Sequence, residues 1–358
     1  MPAVRVLVVD DSVVVRKLLS DALASAPQLQ LAGTASSGAI ALAKIPQLNP
    51  DVITLDIEMP GLNGIETLTE IRKLYPNIPV IMFSTLTEHG AAITLEALSR
   101  GASDYLTKPT NSASLASSME KVKCELTAKI LSLVGRDQTM HTAPVRRPNS
   151  RKSKGSVIEI LAVGTSTGGP KALAEFVPHL PSDFPVPVVV VQHMPPLFTR
   201  LLAERLNSQS EVRVHEGKAG CSLEPGNVWI APGDHHMTIA RRGLQTILSL
   251  NQDSPENSCR PAVDVLFRSV AQAYGPNVLA VVMTGMGSDG ARGAAHICEA
   301  GGEVFVQDEA TAVVWGMPGA VVSAGFADRI CPLQEMSREV IRRVGVGRTQ
   351  TSAGMDHS

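Results

Sequence analysis

Short apolar runs alternate along the chain with segments in which apolar residues recur every three or four positions. In the first third, runs at 4–9, 29–33, 52–55, 78–83 and 103–106 predict strands, and the stretches at 14–24, 39–45, 64–74 and 91–98 predict amphipathic helices. Ser12 and Asn63 stand where helix N-caps belong. The rhythm returns after residue 156. An almost unbroken apolar run at 158–163 stops at Gly164-Thr165-Ser166-Thr167-Gly168-Gly169-Pro170, after which Ala172, Leu173, Phe176 and Val177 fall at helical spacing. Further strands are predicted at 186–191, 228–231, 278–283 and 304–307, a hairpin within 237–250, and helices at 263–273 and 334–344. Alternation of this kind predicts an α/β protein with two doubly wound parallel sheets, the second carrying a small antiparallel insert. In such sheets, sites lie at the carboxyl ends of the strands.

Composition adds bounds. At 358 residues the chain is long enough for two domains, and 44% hydrophobic content with only 3% aromatics suits Val/Ala/Leu-rich cores. A net charge of −2 exerts no general pull toward nucleic acid or an anionic membrane. The five cysteines (Cys124, Cys221, Cys259, Cys298, Cys331) are scattered without metal-finger spacing, which indicates reduced thiols in a cytoplasm. The first ten residues lack the layout of a signal peptide, and no apolar run approaches the ~20 residues of a membrane span. Between the periodic regions, residues 135–156 carry prolines, serines, threonines and the basic cluster Arg146, Arg147, Arg151, Lys152 and Lys154, the composition of a solvated linker. The expected division is a first domain at 1–122, a linker at 123–155 that begins as helix, a second domain at 156–346, and a disordered tail at 347–358.

In the first domain, acidic residues collect at strand ends. Asp10 and Asp11 follow the first strand and Asp56 ends the third, with Glu58 two residues on. Carboxylates converging there repel one another unless a hard cation such as Mg²⁺ joins them. Ser84 ends the fourth strand and Lys108-Pro109 follows the fifth, placing a hydroxyl and an ammonium where phosphoryl oxygens would lie. The first ~120 residues resemble the response-regulator receiver family through Asp10-Asp11-Ser12, Asp56-Ile57-Glu58-Met59-Pro60-Gly61-Leu62-Asn63-Gly64, Ser84 and Tyr105-Leu106-Thr107-Lys108-Pro109. The resemblance implies a flavodoxin-like fold and phosphorylation of Asp56. It further implies Mg²⁺ held by Asp11 and Asp56 with Asp10 close by and the Glu58 backbone carbonyl, and Ser84 and Tyr105 as a switch pair.

In the second domain, Ser166, His193 and Asp289 each follow an apolar strand. A serine beside a histidine, itself oriented by a buried carboxylate, is the general arrangement of a serine hydrolase. The N–H of Thr167 and an N–H of the Gly285–Gly287 turn are candidate oxyanion donors, and glycines around Ser166 would leave room for a substrate. Other assignments stay open on the residues alone. A glycine-rich strand-to-helix turn also binds phosphate; His215, His235 and His236 compete as the base, and Asp234 and Asp264 compete as its orienting carboxylate. Gly164-Thr165-Ser166-Thr167-Gly168 matches the G-x-S-x-G elbow of α/β-hydrolases, yet the order Ser…His…Asp and an elbow on the domain's first strand do not fit that family. A dinucleotide-binding site is disfavoured because the G-x-G-x-x-G spacing is absent. A DNA-binding output is disfavoured because acidic residues outnumber basic ones over 156–346.

The order does fit the chemotaxis receptor methylesterase (CheB) family. About 190 residues resemble its catalytic domain, through the Ser166 turn, Gln192-His193-Met194-Pro195-Pro196, Ile230-Ala231-Pro232-Gly233-Asp234, Arg260-Pro261-Ala262-Val263-Asp264-Val265-Leu266-Phe267 and Thr284-Gly285-Met286-Gly287-Ser288-Asp289-Gly290. The resemblance implies Ser166, His193 and Asp289 as nucleophile, base and orienter, with Met286 in the oxyanion region and no cofactor in this domain. It implies a monomer that demethylates glutamate methyl esters on chemoreceptors and deamidates receptor glutamines, activated through a histidine kinase, with no nucleic-acid partner. An unphosphorylated receiver would then occlude Ser166. The competing expectation is a receiver-controlled scaffold with a silent output domain.

Overall fold

The computed structural model describes residues 2–108, 115–135, 156–243 and 245–348. They fall into two units divided near residue 138. The first is built on a parallel sheet of β1 (Val4–Val9), β2 (Leu29–Ala35), β3 (Val52–Asp56), β4 (Val80–Ser84) and β5 (Asp104–Thr107), in the order β2-β1-β3-β4-β5. Helices α1 (Val13–Ala24) and α5 (Leu115–Leu133) pack together, as do α2 (Gly38–Leu48), α3 (Gly64–Leu74) and α4 (Glu88–Ser99). The central strands β3 and β4 are buried along their whole length, which explains their continuous apolar character. Both expected caps form: the Ser12 hydroxyl accepts from Val15 N, and Asn63 makes a reciprocal capping box with Glu66.

The boundary expected at residue 122 falls inside α5. Val122, Leu126 and Ile130 are buried in the core beneath β1 and β4, so the helix that opens the expected linker belongs to the first unit. Residues 136–155, which hold the basic part of that linker, lie outside the described residues, as does the tail from 349.

The second unit has a seven-stranded parallel sheet ordered β14-β13-β12-β6-β7-β9-β8. Its strands are β6 (Ile160–Thr165), β7 (Val188–Gln192), β8 (Arg213–Glu216), β9 (Asn227–Ile230), β12 (Val278–Val282), β13 (Glu303–Gln307) and β14 (Arg329–Cys331). The antiparallel pair β10 (His236–Arg242) and β11 (Gln245–Asn251) forms a separate hairpin packed on α8 (Val263–Tyr274). One helical layer contains α6 (Gly169–Phe176), α7 (Pro196–Gln209) and α11 (Leu333–Gly345); the other contains α8, α9 (Ala291–Glu299) and α10 (Met317–Ser323). The sequence pattern misses the edge strands β8 and β14 and the short helix α10, because four, three and seven residues are too few to display a period, and it misses α7, which opens on Pro195-Pro196 without a side-chain cap. The expected end of this domain is residue 346, and ordered contacts continue to Arg348. The Arg348 guanidinium donates to the carbonyls of Ile158 and Pro185, tying the chain down beyond α11.

This topology chooses the site. From β6 the chain runs through α6 to β7 on one side, whereas β12 continues through α9 to β13 on the other, so a crevice opens at the carboxyl ends of β6 and β12. The first unit has the equivalent divergence between β1 and β3. Gly164, near the end of β6, lets α8 approach: a Cβ there would lie 2.4 Å from Val263 Cγ1 and 2.9 Å from Cγ2. Gly164→Ala is therefore expected to destabilise the fold by about 1–3 kcal/mol, read as a lower urea midpoint.

Candidate active site and acidic pocket

Three backbone turns deliver the centre of the second unit. Thr165, ending β6, donates from Oγ1 to Gln192 Oε1 at 2.7 Å, and Gln192 Nε2 donates back to Ser166 O at 3.0 Å. Ser166 N donates to Thr284 O at 3.0 Å, and the Thr284 hydroxyl donates to Thr167 O at 2.9 Å. The turn carrying Ser166 is thus fastened to the ends of β7 and β12. Its glycines permit close approach of neighbouring atoms and do not leave substrate space, contrary to the expectation. A Cβ on Gly168 would meet Val313 at 2.6 Å and one on Gly169 would meet Gln192 Oε1 at 1.9 Å; Gly168 also has φ +76°.

Ser166 Oγ lies 3.1 Å from His193 Nδ1, and His193 Nε2 lies 2.9 Å from Asp289 Oδ2. Asp289 is buried but not isolated. Oδ2 also accepts from Val263 N at 2.6 Å, while Oδ1 accepts from Asp264 N at 3.0 Å, Gly290 N at 3.0 Å and Asn257 Nδ2 at 2.8 Å. Burial pushes the carboxyl upward, but the histidine and these donors outweigh it and hold Asp289 below its ordinary range. Burial likewise works against a charged His193; its hydrogen bonds to Asp289 and to Cys259 outweigh that and raise it above the usual imidazole range. In the neutral ring, with Nε2–H directed at Asp289, the Nδ1 lone pair faces the serine.

The alternatives separate clearly. His236 is buried, accepts from Ala262 N through Nδ1 and meets Ser254 O through Nε2. His235 contacts Gly233 O, and His215 lies on β8 against Asn227 and Trp229. Asp234 pairs with Arg260. Asp264 is fully buried and binds Gly290 N, Gly293 N, Asn257 and Arg292, so it supports the loop of Asp289 without touching His193. Gly285 N donates to Val314 O, which removes it from the expected oxyanion donors. Sequence reasoning missed Gln192, Asn257 and Cys259 as parts of this centre. Asn257 and Cys259 sit in a loop with no periodic pattern, and nothing local in the sequence announces them.

In the first unit, ligand oxygens of Asp10, Asp11 and Asp56 lie within 4.8 Å of one another. Lys108 Nζ is 2.7 Å from Asp56 Oδ1 and 3.4 Å from Asp10 Oδ2. Asp10 Oδ1 accepts from Ser12 N at 2.8 Å. Asp10 Oδ2 and Asp56 Oδ2 are buried without a hydrogen-bond partner. One ammonium facing the two buried carboxylates and the exposed Asp11 leaves an excess of negative charge, and buried oxygens without a hydrogen-bond donor fit a hard divalent cation. Burial, with Asp10 adding to it, raises Asp56 to about 6 against the pull of Lys108. Ser84 is buried, donates to the carbonyls of Thr85 and Gly90 at 3.2 Å each, and accepts from Thr94 Oγ1 at 2.7 Å. Tyr105 is buried, with Lys129 Nζ 5.1 Å from its ring centroid, and Glu58 is exposed. Among the described residues, no helix is long and apolar enough to cross a membrane.

Comparison with known proteins gives a consistent picture. The CheB methylesterase family model matches residues 161–340 and the response regulator receiver domain model matches residues 6–120. A protein-glutamate methylesterase/protein-glutamine glutaminase of Trichodesmium erythraeum is 50% identical over 352 residues, covering 96% of this chain and 100% of that protein. One of the same description from a Nocardioides species is 51% identical, covering 96% of each chain. The crystal structure of the Thermotoga maritima CheB methylesterase catalytic domain aligns with a TM-score of 0.51 at 42% identity, covering 52% of this chain and 98% of that one.

The acidic pocket gives a sign that can be checked. Because the folded Asp56 carboxyl is raised from 3.8 to about 6 in the metal-free protein, its ionisation opposes folding. The penalty is absent below pH 3.8 and complete once the pH has risen past about 6. Asp56→Asn is expected to stabilise the protein at pH 7 in chelator by about 1–2 kcal/mol. Thermal unfolding should show this as a higher midpoint, with a smaller gain on adding Mg²⁺ than the wild type shows.

Proposed function

The chain belongs to the CheB methylesterase family, with a response regulator receiver domain ahead of the esterase domain, and from that premise we propose that Ser166, His193 and Asp289 are its catalytic triad. The protein is a receiver-regulated protein-glutamate methylesterase and protein-glutamine glutaminase of chemotaxis signalling. The observation that carries the residue assignment is the continuous path from Ser166 Oγ through the imidazole to Asp289, at 3.1 and 2.9 Å.

The reaction follows from that path. Ser166 Oγ attacks the ester carbonyl carbon while its proton passes to His193 Nδ1. The imidazolium is stabilised through Nε2–H by the buried Asp289 charge. The tetrahedral oxyanion is assigned to the region of Thr167, at the start of α6, and Met286, after β12. Collapse expels methoxide, which takes the proton from His193 and leaves as methanol. Water, deprotonated by the same imidazole, then hydrolyses the acyl-serine to a glutamate carboxylate. With a glutamine side chain the leaving group is ammonia and the remaining steps are unchanged. Substrates are the methylated glutamates and glutamines of chemoreceptors, reached by a cytoplasmic, monomeric enzyme without a nucleic-acid partner.

In the receiver, Asp56 is the phosphoacceptor and a histidine kinase the donor. Asp11, Asp56 and the Glu58 backbone carbonyl would hold Mg²⁺ beside Asp10, where the ion supplies charge neutralisation for phosphoryl transfer. Lys108, already on Asp56, neutralises a further phosphoryl oxygen. Ser84 can turn toward a phosphoryl group only by releasing Gly90 O at the start of α4, which converts a local charge change into movement of a helix end. Tyr105 is the second member of the switch pair.

Three outcomes test this reading, all measured as methanol released from methylated receptor membranes. Ser166→Ala should lower the rate by about 10⁴-fold or more. Asn257→Ala, which removes one donor from Asp289, should lower it about tenfold, the rate equivalent of ~1.4 kcal/mol. Mg²⁺ with a small-molecule phosphodonor should raise the wild-type rate and leave Asp56→Asn unchanged. A full response of Asp56→Asn to the phosphodonor would place control elsewhere.

A further inference from the structure

The loop before α8 brings a second nucleophile to the same base. Glu256 and Cys259 close a tight turn through two backbone hydrogen bonds (2.8 and 3.1 Å), and the two residues between them, Asn257 and Ser258, have φ of +51° and +62°. Arg268 pairs with Glu256 on one side of the turn, and Arg260 with Asp234 on the other. The turn therefore has a fixed place, with Asn257 on Asp289 and Cys259 Sγ 3.5 Å from His193 Nδ1. That nitrogen is the one Ser166 Oγ faces at 3.1 Å. A single lone pair thus confronts two donors, a hydroxyl and a thiol. Thiols are stronger acids than alcohols, and Nδ1 lies within reach of the Cys259 sulfur to take its proton during a reaction.

Two of the other cysteines, Cys298 and Cys331, lack this setting. Burial pushes Cys298 up to about 12 and Cys331 up to about 11, and their sulfurs lie against Phe326 O and Met336 Sδ. Cys259 is half-buried, whereas Cys331 is buried.

We propose that Cys259 and His193 form a peroxide-sensitive pair, in which oxidation of the Cys259 sulfur switches off Ser166. The Cys259 thiol passes its proton to His193 Nδ1 as the sulfur attacks one oxygen of a hydroperoxide. The S–O bond forms as the O–O bond breaks, the sulfur is oxidised by two electrons to sulfenic acid, and the leaving hydroxide takes the proton from His193 to become water. The new S–OH lies against Nδ1 and displaces the Ser166 hydroxyl from its acceptor. Two equivalents of a thiol reductant restore the thiol, giving a disulfide and water. The loss of esterase activity rests on the triad assignment above; the reactivity of the sulfur does not.

The test uses the full-length protein treated with hydrogen peroxide. Sulfenic acid is trapped with dimedone and mapped by mass spectrometry, and Ser166 is titrated with a fluorophosphonate. Dimedone should map to Cys259, and His193→Asn should slow its incorporation there by about tenfold. Peroxide should reduce fluorophosphonate labelling of Ser166 at least about fivefold, reversibly with dithiothreitol, while Cys259→Ser keeps its own untreated labelling within about twofold. Equal loss of labelling in Cys259→Ser, or dimedone absent from Cys259, overturns the proposal. So does incorporation that ignores His193→Asn, a comparison made on the native sulfur and independent of how Cys259→Ser folds. If untreated wild type takes up no fluorophosphonate at Ser166, the triad assignment fails, and the dimedone comparison still decides the thiol.

Discussion

The centre of the second unit depends on keeping one carboxylate charged inside protein. Asp289 is 2% exposed, and an unpartnered charge there would be driven to neutrality by desolvation. Backbone N–H groups of Val263, Asp264 and Gly290, the Asn257 amide and the His193 ring together replace the lost water. Two of those donors open α8 and one precedes α9, so the helix termini that need acceptors and the carboxylate that needs donors satisfy each other. Asp264 extends the arrangement by accepting from Gly290 and Gly293, with Arg292 and Asn257 balancing a second buried negative charge. Imidazole orientation, and with it the direction of the Nδ1 lone pair, follows from where Asp289 is held.

The receiver's acidic pocket meets the same difficulty and leaves it unresolved. Asp10 and Asp56 share Lys108, each retain one buried oxygen without a hydrogen-bond partner, and have their carboxyls raised above the ordinary range, mainly by burial. A fully satisfied site would be inert; an under-neutralised one is ready for a cation and for a group that changes its charge. The two units thus treat buried carboxylates oppositely, one saturated for positioning and the other unsaturated for switching. Both sites lie where neighbouring strands send their connections in opposite directions, because only there do the strand ends open a crevice.

Much of this was legible in the chain. Buried parallel strands are continuously apolar and surface helices are periodic, so β1, β3, β6, β7 and β12 and the helices α1, α3, α8 and α11 could be placed within two residues. Polar residues that interrupt such strands at their ends stand out, and Asp10, Asp56, Ser166, His193 and Asp289 were recognisable for that reason. The glycines around Ser166 were visible too, but their purpose was not: Gly164 and Gly169 are required by Val263 and Gln192, partners far along the chain. Helix α5 changes no pattern at residue 122, and burial of Leu126 and Ile130 packs its later turns onto the first unit.

By itself, then, the sequence determined the element order, the parallel sheets and the strand-end residues, since each is written in local periodicity and its interruptions. Tertiary structure decided which of four histidines meets Ser166 and which of three aspartates meets that histidine, because that depends on strand order and on turns from distant segments. It also decided that Asn257 and Cys259 join the centre. Their loop has no hydrophobic pattern, and only ion pairs with Arg268 and Asp234 and the positive-φ turn bring it against His193 and Asp289.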